Sequence, residues 1–150
     1  MRTIHATIDI DASPEAVWDV LVDFPSHATW NPFFASVEGE AEVGATLRIV
    51  ARKYDGSEGI GFQPVVLDAD PGRRLRWKGK LLVRGLFDGT HDFRLEALDG
   101  GRTRLHHGEE FRGLFVPLFG RILRDTEIGF RDFNEALAHR VEGRLADCSS

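Results

Sequence analysis

Cysteine is almost missing from the sequence, with a single residue, Cys148, in 150. One thiol cannot form an intramolecular disulfide or a multi-thiolate metal site, which excludes the disulfide-framework class and favours a reducing compartment. The hydrophobic fraction of 42% and the charged fraction of 29% match an ordinary globular chain and exclude the disordered and collagenous classes.

Long apolar runs are also lacking. No stretch approaches the roughly 18 apolar residues that span a bilayer. Residues 3–11 alternate polar and apolar side chains, unlike the continuous apolar core of a signal peptide. We therefore expect a cytoplasmic protein without stable membrane insertion.

The chain has no general excess of positive charge, since 19 lysines and arginines face 24 acids, for a net charge of −5. Phosphate contacts need concentrated positive charge, so no nucleic-acid partner is expected. Residues 73–84 nevertheless contain six cations and no acid: Arg73, Arg74, Arg76, Lys78, Lys80 and Arg84. This row is interpreted as a solvated strand face, with an anionic partner as the alternative.

The first third of the chain predicts a strand followed by two short helices. Residues 3–11 alternate with a period of two, as in a strand with one buried face. Ser13 and Pro14 suit an N-cap and a first helical position. Pro32 forces the residue before it out of helical geometry, so a second short helix should end near Trp30.

The remaining patterns predict six more strands and one long helix. Turn signals separate strands at about 36–41, 45–54, 58–68, 73–80, 86–97 and 102–112. After Pro117, spacings of three and four predict an amphipathic helix over about 117–144, roughly 42 Å long. Its apolar stripe contains Phe119, Ile122, Thr126, Phe130, Phe133, Leu137 and Val141.

Several short sequence motifs carry a family resemblance. They are IDASPEAVW at 10–18, DF at 23–24, WNPF at 30–33, PGRRLRW at 71–77, GLFDGTHDF at 85–93 and GRTRLHHGE at 101–109. Together with the element order, they resemble the START-related, polyketide cyclase/dehydrase and lipid-transport superfamily (SRPBCC).

The resemblance implies an α+β helix-grip fold, in which a seven-stranded curved antiparallel sheet wraps around the long C-terminal helix. We expect one START-like ligand-binding domain at 1–146 and a tail at 147–150. The implied partner is a small hydrophobic or amphipathic molecule held between sheet and helix. The superfamily includes carriers, receptors, cyclases and dehydratases, so the fold alone does not identify a reaction.

Strand parity separates an inner face of the sheet from an outer one. Trp77 alternates with the cationic row, which must lie outside, so Trp77 faces inward. By the same alternation, the inner face receives Phe93 and Phe111 together with His91, His107 and Glu109. The residues expected to line the cavity are Trp30, Phe33, Trp77, His91, Phe93, His107, Glu109, Phe111, Phe119, Ile122, Thr126 and Phe130.

Three polar residues on this apolar face, His91, His107 and Glu109, need partners, because burying an unpaired polar group is costly. They could form a structural hydrogen-bonded cluster, orient a ligand, move a proton in catalysis, or form a facial metal triad. No metal is expected, because strand spacing alone supports the triad weakly. No cofactor is expected either, since residues 56–61 lack a phosphate-loop lysine. The sequence predicts no particular oligomeric state.

The hairpin between the last two strands sets the register of these groups. A three-residue loop at Asp99–Gly101 closes Leu98 against Arg102, so that opposed residue numbers sum to 200. His91 then lies opposite Glu109, and Phe93 opposite His107. The leading functional hypothesis is ligand binding. The alternatives are a cyclase or dehydratase using an inward histidine and an interaction module using the basic outer strand.

Overall fold

The chain follows the expected order of a strand, short helices, further strands and a long C-terminal helix in a computed structural model. The structure describes residues 1–53, 55–80, 88–114 and 116–149, without the side chains of residues 80, 119, 122, 148 and 149. The cavity roles expected for Phe119 and Ile122 therefore lie outside the described side chains. Position 84 of the cationic row and the strand ends expected at 54 and 86–87 lie outside the described residues.

The described ranges contain eight strands and three α-helices. The strands are β1 (Arg2–Ile10), β2 (Phe34–Glu38), β3 (Arg48–Arg52), β4 (Glu58–Phe62), β5 (Val65–Asp70), β6 (Arg74–Lys80), β7 (Asp88–Ala97) and β8 (Thr103–Arg112). The helices are α1 (Pro14–Leu21), α2 (His27–Trp30) and α3 (Gly120–Ser149). Short 3₁₀ turns occupy Phe24–Ser26, Asp99–Gly101 and Val116–Phe119.

The start of α1 is capped as the sequence predicts. Ser13 has extended backbone angles, and its Oγ accepts a hydrogen bond from Ala16 N at 3.2 Å. Pro14 occupies the first helical position, where its missing N–H costs nothing. The α2 helix ends at Trp30, before the extended Asn31, which confirms the expected effect of Pro32.

The expected single strand at 58–68 was wrong. β4 pairs with β3, whereas β5 pairs with β6, giving a sheet ordered β1-β8-β7-β6-β5 and a second sheet ordered β2-β3-β4. The chain changes sheets at Pro64, which has no N–H to donate to a ladder. Its carbonyl instead accepts from Leu47 N at 2.8 Å. The seven-stranded count is therefore corrected to eight described strands in two antiparallel sheets.

The long helix α3 packs on the antiparallel sheet in the helix-grip manner. It begins at Gly120 rather than 117, because a 3₁₀ turn precedes it, and residues 147–149, expected as a tail, continue the helix. Phe130 and Phe133 are fully buried, whereas Arg124, Asp125, Arg131 and Asp132 are exposed, which confirms the predicted stripe from Phe130 onward. Within the described ranges, no helix is long and apolar enough to cross a membrane.

Two apolar clusters fill the interior. The larger cluster joins α1, both sheets and the second half of α3. The smaller one, called here the small apolar cluster, consists of Ile4, Ala6, Phe111, Val116, Leu123 and Phe130, with Phe33 packed against it. The inner polar residues lie between the two.

Candidate functional site

The β7–β8 hairpin has the register predicted from its loop. Leu98 N donates to Arg102 O at 2.9 Å, and Gly100 and Gly101 adopt the positive φ values of 77° and 73° that the tight turn requires. His91 consequently pairs with Glu109, and Phe93 with His107. One short loop thus places three chemically active side chains on the inner face of the sheet.

A buried polar chain runs from Glu109 through His91 and His107 to Asn134 on α3. Glu109 Oε2 lies 3.2 Å from His91 Nδ1, and His91 Nε2 lies 2.6 Å from His107 Nε2. His107 Nδ1 lies 2.9 Å from Asn134 Oδ1. Asn134 Nδ2 donates to Ala6 O at 3.4 Å. We call these four side chains the polar chain.

Hydrogen-bond chemistry orders the protons along the polar chain. Asn134 donates its Nδ2 hydrogen to Ala6, so its Oδ1 accepts from His107 Nδ1. A neutral His107 then offers only a lone pair at Nε2, and His91 Nε2 must donate to it. His91 Nδ1 then lies 3.2 Å from Glu109 Oε2, in an ion-pair contact.

Electrostatics agree with a neutral His107. Burial lowers the pKa of His107 well below its ordinary value of 6.5, and the neighbouring His91 lowers it further, against a smaller opposing effect of Asn134. His107 is 0% exposed, so water does not compensate a charge on it. The ring therefore serves as a fixed hydrogen-bond connection rather than as a titrating group near neutral pH.

Aromatic rings enclose the two histidines. The His91 ring stacks on Trp77 with centroids 5.0 Å apart and contacts Phe93 at 4.8 Å and Phe130 at 5.0 Å. His107 stacks on Phe130 at 3.9 Å. Both nitrogens of each imidazole are already engaged within the polar chain. A ligand therefore cannot reach a free ring nitrogen without disturbing the chain.

Glu109 is the most accessible end of the polar chain. Its side chain is 17% exposed, compared with 3% for His91. It pairs with Ile4 of β1 on one side, so it borders the small apolar cluster. A carboxyl group beside apolar side chains is an arrangement that can orient an amphipathic molecule.

The side chains of the possible metal triad, two histidines and Glu109, do not point toward one common position. Glu109 contacts Nδ1 of His91, whereas His107 contacts Nε2 on the opposite side of that ring. Among the described residues, no group of three or more such side chains is arranged to hold a metal ion.

The remaining residues expected to line the cavity lie in different parts of the interior. Trp77, Phe93 and Phe130 contact His91 directly, and Phe33 joins them through Phe130 at 5.5 Å. Phe111 is buried in the small apolar cluster, and Thr126 is half-buried on α3. Trp30 lies farther away, against His27 at 4.6 Å and Phe133 at 5.5 Å.

Sequence reasoning missed two members of this region, Asn134 and Phe34. Asn134 is 2% exposed and lies four residues after Phe130 within the apolar stripe, so a polar residue at helical spacing was the available signal. Phe34 contacts His91 at 6.0 Å and Trp77 at 6.1 Å. It was placed outside the strand predicted at 36–41, whereas β2 begins with it.

A second buried network supports this wall. His27 Nε2 lies 2.8 Å from Leu21 O, and His27 Nδ1 lies 3.0 Å from Asn31 Nδ2. Asn31 Oδ1 accepts from the backbone N–H groups of Phe33 and Phe34 at 2.8 and 2.9 Å. The network therefore fixes the chain that presents both phenylalanines to the interior.

Acids on adjacent strands offset the outer cationic row. Arg74 forms two hydrogen bonds with Asp92, at 2.9 and 2.7 Å. Arg76 lies opposite Asp68 on β5 and Asp92 on β7 in the strand register, but its buried Nε has no hydrogen-bond partner among the described residues. The pairing of Arg74 with Asp92 favours a locally balanced face over a surface for an anionic partner.

A groove of about 400 Å³ lies between β1 and α3. Its lining is His5, Ala6, Thr7, Ile8, Arg131, Asn134 and Glu135. This lining is more polar than the aromatic cavity wall expected from the sequence. The aromatic residues of that expected wall lie around His91 instead. Asn134 therefore connects the polar chain to this side of the fold.

Comparison with solved structures shows the same fold in several proteins. The ZhuI aromatase/cyclase of a Streptomyces species has a TM-score of 0.77 and 21% identity, with 96% of this chain and 95% of that chain covered. A START superfamily protein from Mycobacterium smegmatis has a TM-score of 0.72 and 20% identity, with coverage of 94% and 97%. A structural-genomics protein from Chromobacterium violaceum has a TM-score of 0.73 and 24% identity, with coverage of 93% and 96%.

A comparison with curated protein sequences gave no match. The family described as polyketide cyclase / dehydrase and lipid transport matches residues 1–145, which is nearly the whole chain. The protein therefore belongs to the polyketide cyclase / dehydrase and lipid-transport family.

Proposed function

We propose that this protein binds a small hydrophobic or amphipathic molecule between the sheet and α3. The observation that carries the proposal is the position of Glu109, the accessible end of a buried polar chain beside the small apolar cluster. The apolar part of the ligand would lie against Phe111 and Phe130, and its polar part would reach Glu109. Family membership supports this class of function.

A fluorescence titration tests the proposal with the neutral apolar probe N-phenyl-1-naphthylamine. We expect saturable binding at one site per chain. Ile4 and Ile10 provide matched variants, because both are buried on the same face of β1, Ile4 in the small apolar cluster and Ile10 in the larger one. Ile4→Ala should weaken probe binding, whereas Ile10→Ala should leave it unchanged at a temperature where both variants are folded.

Native mass spectrometry of freshly purified protein provides an independent test of the same proposal. A copurified small molecule that is released on unfolding would identify the ligand. Probe binding that does not saturate, and that Ile4→Ala and Ile10→Ala weaken to the same extent, would count against the proposal.

A cyclase or dehydratase is the second candidate, favoured by the contact between the His91 imidazole and the Glu109 carboxylate. With both nitrogens of each histidine engaged, Glu109 would be the group that meets substrate, and His91 would position it. The ZhuI aromatase/cyclase shares the fold. An enzyme should lose turnover but keep binding in Glu109→Gln, whereas a carrier should return its ligand chemically unchanged.

A further inference from the structure

Gly89 leaves the space that the Glu109 carboxylate occupies. A Cβ atom at position 89 would lie 2.5 Å from Glu109 Oε1 and 3.5 Å from its Cδ. Real Cβ contacts are essentially never this short. Gly89 is not among the glycines with positive φ and lies within β7, so its backbone does not itself require glycine. Glycine therefore leaves room for the carboxylate in this position, and a side chain at position 89 would displace it.

The two carboxylate oxygens of Glu109 have different surroundings. Oε2 contacts His91 Nδ1, whereas Oε1 lies over Gly89. A proton in this contact can be on the imidazole or on Oε2. In both cases Oε1 has lone pairs and no hydrogen, so it is a hydrogen-bond acceptor.

The described strand neighbours of Glu109 include no buried lysine or arginine. In register, Glu109 pairs with Ile4 on β1 and with His91 on β7. Arg2 shares this face but is exposed at the start of β1, paired with Phe111. Within the described part of the chain, a ligand carboxylate beside Oε1 would therefore meet an acceptor and no buried lysine or arginine.

We propose that Glu109 Oε1, seated over Gly89, selects ligands that present a hydroxyl hydrogen-bond donor, such as a phenol, over ligands that end in a carboxylate. This inference rests on the proposed binding function and narrows its ligand class. Gly89 acts in it as a positioning residue. The neutral donor satisfies Oε1, whereas a carboxylate leaves two acceptors facing each other.

Competition between two probes of one ring system provides the test. Bound N-phenyl-1-naphthylamine is titrated at pH 7 with 2-naphthol or with 2-naphthoate, two competitors that differ in the polar group. A hydrogen bond to a charged acceptor corresponds to roughly a tenfold or larger difference in affinity. We expect 2-naphthol to compete at least about tenfold better than 2-naphthoate, and Glu109→Leu, which removes both carboxylate oxygens, to remove most of this preference.

Gly89 and Gly79 provide a matched pair of variants, because they lie opposite each other on β7 and β6. Gly89→Ala should reduce the preference by displacing the flexible carboxylate. Gly79→Ala adds the same methyl group, but its Cβ would meet Phe62 and Pro64 at an ordinary 3.6 Å, so the preference should remain. Circular dichroism of both variants checks that each is folded.

The outcomes separate this inference from the proposed function. Saturable N-phenyl-1-naphthylamine binding with equal competition by 2-naphthol and 2-naphthoate would overturn the inference and leave the binding function standing. A preference that survives in both Glu109→Leu and Gly89→Ala would also overturn it. Failure of N-phenyl-1-naphthylamine to bind saturably would instead contradict the proposed function, and the inference would fall with it.

Discussion

His107 of β8 stacks on Phe130 of α3, with ring centroids 3.9 Å apart and ring planes inclined by 12°. Phe130 also contacts His91 at 5.0 Å, so one helical side chain covers both imidazoles of the polar chain. Sheet–helix packing and the buried polar groups are therefore parts of one contact surface.

Replacing Phe130 by alanine should strongly destabilise the fold. The ring is 0% exposed, and its removal both loses apolar burial and opens a cavity beside two polar rings. We expect a loss of about 3–5 kcal/mol in the free energy of unfolding, measured by urea titration. Ile128→Ala is the control on the same helix, because Ile128 is 50% exposed; a similar loss in both variants would contradict the packing assignment.

The hairpin was predictable because its information is local. Asp99, Gly100 and Gly101 define a three-residue loop, and the loop determines the register of both strands. His91 and Glu109 were therefore paired correctly from the sequence alone. The inward direction of His91 and His107 also followed from strand parity, whereas the direct contact between the two rings was not predicted.

The missed features depend on packing between distant segments. The break at Pro64 depends on which partner strand each half of the segment finds, and β3 and β6 are far apart in sequence. Asn134 meets His107 only when α3 crosses the sheet at one particular height and rotation. Periodicity shows that Asn134 lies on the buried stripe, but not which group it contacts.

The cap of α1 allows a small, local prediction. Ser13 Oγ accepts from Ala16 N at 3.2 Å, and alanine at position 13 would leave this helix N–H without a side-chain acceptor. We expect Ser13→Ala to lower the free energy of unfolding by about 1 kcal/mol, and Ser13→Asp to preserve it. Equal stability of the serine, alanine and aspartate proteins in thermal unfolding would show that the cap does not contribute.

Acid should destabilise the protein through His27. Burial lowers the pKa of His27 from 6.5 to about 4. Between these values the unfolded chain binds more protons than the folded one, so stability is fully present above about pH 6.5 and declines toward pH 4. The contribution of this group over that interval is about 3 kcal/mol.

The variant His27→Gln isolates this contribution, because glutamine keeps a side-chain amide donor for Leu21 O but does not titrate. Urea unfolding at several pH values should give a shallower decline between pH 6.5 and 4 for the variant than for the parent protein. Parallel declines would indicate that other groups, including His107, carry the acid sensitivity.

Asn134 should determine the tautomer of His107. In Asn134→Leu, a side chain of similar size leaves His107 Nδ1–H and Ala6 O without their hydrogen-bond partner, which should cost about 1–3 kcal/mol in urea unfolding. In the parent protein, ¹⁵N NMR should show His107 protonated at Nδ1 and unprotonated at Nε2, because Asn134 Oδ1 lies 2.9 Å from Nδ1. In the variant, the population with the proton at Nε2 should increase, and His91 must then reorganise its hydrogen bonds. An unchanged His107 tautomer in a destabilised variant would assign Asn134 a packing role and contradict the proton order along the polar chain.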